Sequence, residues 1–164
     1  MDEPGIIGRM DVSRDRDAAG RARQARPRDR LGRPLPYGSA GVDPVPEDPL
    51  PPEPTIAAAR ALLVEGRPFS AHEVFEARWK DGPEIERDLW QGLAQACVGS
   101  THSERGNLTG ARRLWERAHG RLTAYATGGG PTYGLDLSAI TGWIGDCLRG
   151  LDEPSSAAPT PLPL

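Results

Sequence analysis

Lysine is almost missing from this sequence, with Lys80 alone against nineteen arginines. That bias is the mark of a GC-rich bacterial genome and concerns ancestry rather than activity. Cysteine is as scarce. Cys97 and Cys147 are too few for a disulfide framework and sit beside apolar residues, where a thiol behaves as a small hydrophobe. No apolar run approaches the roughly 20 residues of a membrane span, and no signal-peptide h-region stands at the amino terminus. The expectation is a cytoplasmic chain without a membrane partner. A net charge of −3 gives no global drive toward nucleic acid.

Proline and glycine, by contrast, are plentiful and unevenly placed. Ten of the seventeen prolines fall in residues 1–54 and four in 153–164. Together with a mean hydropathy of −0.52, this divides the chain into three: a disordered Arg/Pro-rich arm and linker over 1–54, a helical domain over 55–152, and a disordered tail over 153–164. Residues 1–36 carry nine arginines and six acids, with few apolar groups to offset the entropy of ordering. The arm reads either as a nucleic-acid or acidic-partner tether, or as a solvated polyampholyte in which Asp11, Asp15, Asp17 and Asp29 interrupt the positive charge. "DPVPEDPLPPEP" favours a stiff, extended linker.

The middle predicts an all-α fold, a compact array or bundle of about five helices flanked by the disordered tails. Thr55 is placed to cap the first helix and Gly66 to stop it. Ser70 and Glu73 have capping-box spacing, with Phe69 and Val74 as the staple, so the second helix should start at Ser70 and end near Lys80. Pro83 opens a third running to about Arg105. Asn107 caps a fourth, with a stripe of Leu108, Ala111, Trp115, Ala118 and Leu122, and Ser138 caps a fifth. "GGGP" separates the last two. Short connections imply antiparallel or strongly angled neighbours, and assembly into an oligomer stays open.

On the second helix His72, Phe75, Glu76 and Trp79 fall in one stripe about 100° wide. His72 and Glu76 are i,i+4 neighbours that can meet one ligand. On the third helix Arg87, Gln91, Gln95 and His102 share a face beside a row of small residues, Gly92, Ala96, Gly99 and Ser103. A helix packed on that row would partly bury the polar face, and the second helix is the expected neighbour. Two imidazoles and a carboxylate (His72, Glu76, His102) make a three-ligand metal set with an open position. The mixed donors suit zinc, manganese or iron, and hydrolysis by metal-bound water would be the default chemistry. Glu73 is a candidate general base, against its capping role. Trp79, Arg87, Gln91 and Gln95 would line the site, with Arg87 able to pair with Glu76 or Glu73. The competing reading is a non-catalytic helical interaction module, in which the same residues form a structural hydrogen-bond network.

"FSAHEVFEARW" followed by "ERDLWQGLAQACVGSTHSERGNLTGARRLWERA" resembles the bacterial and archaeal family called domain of unknown function 309. The likeness covers about residues 56–125. It rests on an HxxxExxW motif (His72, Glu76, Trp79), a QGLxQ segment (Gln91, Gly92, Leu93, Gln95), His102, and a GNxxGA turn (Gly106, Asn107, Gly110, Ala111). It departs mildly at Phe75 and in "ACVGSTH". The resemblance implies an all-helical fold, and one interhelical site shared by His72, Glu76, Gln91, Gln95 and His102 for which metal binding has been proposed. It implies no reaction.

Overall fold

The computed structural model describes residues 18–19, 26–153 and 159–164. Expectations for the rest of the arm and for 154–158 fall outside the described residues. Five helices follow in chain order: α1 Pro52–Val64, α2 Pro68–Asp81, α3 Arg87–Glu104, α4 Leu108–Gly128 and α5 Leu137–Gly150. A short 3-10 turn, Glu84–Glu86, leads into α3. Among the described residues the sole β pairing is one isolated bridge between Arg28 and Pro34.

Four helix starts differ from expectation: α3 begins at Arg87 rather than Pro83, with the 3-10 turn Glu84–Glu86 between them, and in the other three an earlier residue supplies the start. α1 begins at Pro52 rather than after Thr55, whose hydroxyl instead donates to the carbonyls of Leu50 and Pro51. α2 begins at Pro68, so Ser70 lies inside the helix, buried, accepting from Arg67, and the Ser70/Glu73 capping box does not form. A proline at the first helical position needs no cap for its missing N–H and already holds a helical φ. α5 is capped by Asp136, which accepts from the Ala139 amide, in place of Ser138. Asn107 caps α4 as expected, its side chain accepting from Gly110.

Two helix ends close the same way. Gly66 and Gly106 adopt left-handed φ of 71° and 77°. After α1, Arg67 and Gly66 donate to Leu62 and Leu63; after α3, Asn107 and Gly106 donate to His102 and Ser103. This paired pattern satisfies carbonyls that a helix end leaves open.

Each helix packs chiefly on its neighbours in sequence. Arg105, just past the end of α3, lies over Phe69 at the start of α2, while Arg87 at the start of α3 lies over Trp79 near the end of α2. The two helices are therefore antiparallel. So are α3 and α4, since Gly92 faces Leu122 and Gly99 faces Trp115. The core between them holds Phe75, Leu89, Trp90, Leu93, Trp115, Leu122, Ile140 and Ile144, each 0–1% exposed. No helix among the described residues is long and apolar enough to cross a membrane.

The described part of the arm and linker, residues 26–51, has no helix yet is tied to the domain. Leu31 is buried, Arg30 donates to Gly66 and Glu104, and Arg67 donates to the Asp43 carbonyl. At the other end, Leu162 is buried in the core cluster and the Thr160 carbonyl accepts from Trp143.

Candidate functional site

His72 is fixed by its backbone before any ligand is considered. Its Nδ1 lies 2.6 Å from the Phe69 carbonyl oxygen, which can only accept, so Nδ1 carries the proton. Nε2 then points at Glu76 Oε2, 3.1 Å away. The structure thus joins the two motif residues as their i,i+4 spacing predicts. Lys80 occupies the other oxygen of Glu76. Burial alone would raise the Glu76 pKa, but the Lys80 hydrogen bond and the His72 charge outweigh it and hold the carboxyl below its ordinary range.

Trp79, half-buried, completes this face with Lys80 and Arg87 at its ring, at 6.0 and 5.4 Å from the centroid. Arg87 pairs with Glu84 at 3.3 Å, not with the expected Glu76 or Glu73. Glu73 is released from capping by the earlier helix start. Burial pushes its pKa up, against the lowering charges of His72 and Arg28.

His102 is engaged elsewhere. Its Nδ1 accepts from the Asn107 amide at 3.0 Å, at the turn between α3 and α4. Burial and the Arg105 charge hold its pKa below the usual value, favouring the neutral ring with its proton on Nε2. In that state neither nitrogen offers a free lone pair. The small-residue row of α3 explains the placement: α4, not α2, packs on it. Leu122 and Trp115 lie against Gly92 and Gly99, and Trp115 donates to the Ala96 carbonyl. No group of three His, Cys, Asp or Glu side chains that could hold a metal ion occurs among the described residues. His72, Glu76 and His102 therefore do not fit one metal as a set. Gln91 and Gln95 are part-buried on α3, and the Gln95 Oε1 is buried without a hydrogen-bond partner.

A second polar constellation carries no motif. Glu86, 5% exposed, accepts from Trp90 Nε1 at 2.8 Å, from Arg78 at 3.1 Å and from the Tyr133 hydroxyl. These donors outweigh its burial and lower its pKa, while the bond to Glu86 pushes Tyr133 up to about 12. Glu86 and Trp90 are i,i+4 neighbours, a spacing that could have flagged them. Tyr133 is 47 positions from Glu86, and nothing local in the sequence ties the two.

Residues 56–114 match the family model described as Domain of unknown function (DUF309). A 47-residue stretch is 40% identical to the "Uncharacterized protein YpuF" of Bacillus subtilis (strain 168). It covers 28% of this chain and 27% of that protein, so the chain matches about a quarter of the relative's length. No solved structure matches. The paired His72 and Glu76 on α2, the QGLxQ segment on α3 and the Asn107-capped turn all lie inside the span, residues 56–114, that is similar to the DUF309 family.

Proposed function

We propose that this chain is a non-catalytic helical interaction module whose α2–α3 face recognises a protein partner. The observation that carries this reading is the occupancy of Glu76: His72 holds one carboxylate oxygen and Lys80 the other. The HxxxE pair is then an ion-paired network along one side of α2, and the ammonium of Lys80 opposes a divalent cation at the same carboxylate. Beside it, Trp79 and Arg87 are part-exposed residues of the types that dominate binding energy at interfaces. Photocross-linking from position 87 in the native host tests this. A discrete protein adduct should form, and Trp79→Ala should abolish it without loss of helical signal.

A second reading has one observation in its favour. A histidine whose Nδ1–H is anchored on a backbone carbonyl presents Nε2 as metal-binding histidines do. His72 Nε2 and Glu76 Oε2 would hold zinc, manganese or iron, with further ligands from outside the chain. The metal would supply an activated water for hydrolysis, beside Glu73 as candidate base. Metal analysis of untagged protein decides between the two. Stoichiometric metal that His72→Ala removes, with no adduct from position 87, overturns the interaction reading.

A further inference from the structure

The linker does more than connect. Between Asp43 and Leu50 it runs over α1 and α2 and encloses a half-open cavity of about 280 Å³. The walls are apolar: Val45 and Leu50 from the linker, Leu62 from α1, Val74 and Ala77 from α2. Val74 and Ala77 point about 100° or more away from His72 and Glu76 around the helix, so this site is separate from the α2–α3 face. A cavity of about 150 Å³ holds a benzene ring, and this one has room for about ten non-hydrogen atoms by the same measure.

Charge at the lining selects the ligand's head group. Arg67, Asp43 and Asp48 are its charged residues. Arg67 gives its terminal nitrogens to the Asp43 carbonyl, to Ser70 Oγ at 3.2 Å and to Glu65 at 3.4 Å, while its buried Nε has no hydrogen-bond partner. Asp43 and Asp48 are exposed, and among the described residues neither carboxylate has an ion-pair partner. An apolar slot lined by two exposed acidic residues against one arginine favours an amphipathic cation over a fatty acid.

We propose that this cavity binds a small aliphatic primary amine, its chain among Val45, Leu50, Leu62 and Val74 and its ammonium at Asp43 and Asp48. The test is calorimetric titration of the full chain with octylamine, octanol and octanoate, which share one chain length. Octylamine should bind one to one and raise the melting temperature, with the other two about tenfold weaker or worse. Ala77→Leu on α2 and Ala58→Leu on α1, both at lining positions on helices that favour leucine, should each fill the cavity and abolish binding while circular dichroism shows the fold intact. Asp48→Asn should weaken octylamine and leave octanol unchanged. Failure of octylamine to bind overturns the proposal, as does octanol or octanoate binding as tightly, or octylamine affinity that survives both filling variants.

Discussion

Glu86 is 5% exposed, and a carboxylate taken from water is costly unless donors replace the lost solvation. Here Trp90, Arg78 and Tyr133 replace it. Removing one member of a buried ion pair typically costs about 3–5 kcal/mol, so Glu86→Gln should lower stability at pH 7 by about 3 kcal/mol in urea denaturation. The pH signs follow from the two shifts. Glu86 is lowered in the folded chain, so its contribution is complete above the unfolded carboxyl value of about 4.3 and is lost as pH falls through the folded one. Glu86→Gln should flatten the acid limb of the stability curve. Tyr133 is raised to about 12, so its contribution holds below the unfolded value of about 10 and is lost as pH climbs toward the folded one. Tyr133→Phe should flatten the alkaline limb, and an unchanged limb would remove that role. Single residues were legible in the sequence where their partners lie one helical turn away, as with His72 and Glu76. They were not where the partner arrives from a distant loop, as Tyr133 does, or where a local donor intervenes, as Asn107 does for His102.

Helices were legible at the level of existence and ends, less so at their starts. Pro68 and Ser70 are both start signals, and the earlier one prevails because nothing stops the helix from using it. The same holds for Pro52 over Thr55. The small-residue row of α3 correctly marks a close helix contact but says nothing about which helix makes it. The answer lies in shape: Trp115 of α4 sits over Gly99, its Nε1 bonded to the Ala96 carbonyl at 3.1 Å. A Cβ at Gly99 would lie 2.4 Å from the Trp115 ring. The higher helix propensity of alanine, worth about 1 kcal/mol, would act in the opposite direction to this overlap. Gly99→Ala should therefore still destabilise, by about 1–3 kcal/mol, read as a lowered melting temperature. A stabilised variant would mean that α4 does not approach α3 this closely.

The whole molecule joins the linker to the helices more closely than composition suggests. A proline-rich, charged segment has too little apolar surface to fold alone, but it can dock if a folded domain offers matching groups. Leu31 supplies the apolar anchor, and Arg28 and Arg105 lie over the Phe69 ring, at 5.3 and 6.0 Å. Arg105 also donates to the Leu31 carbonyl. Arg28 and Arg30 are thus engaged with the helical domain, while Arg26 and Arg33 lie against Tyr37 and Asp29 of the arm itself. Gly32 is the sensitive point. Its φ is +74°, and a Cβ there would lie 2.3 Å from the Phe69 ring. Gly32→Ala should therefore lift the segment off α2 while leaving the helices in place. Limited proteolysis should cut within residues 26–50 much faster in Gly32→Ala than in the parent chain, with the helical circular dichroism preserved. Leu31→Ala should act in the same direction and lower stability by about 2–3 kcal/mol. Because the same linker roofs the cavity over α1 and α2, lifting it should also weaken octylamine. Equal cleavage rates in all three chains would show that the segment does not depend on this anchor.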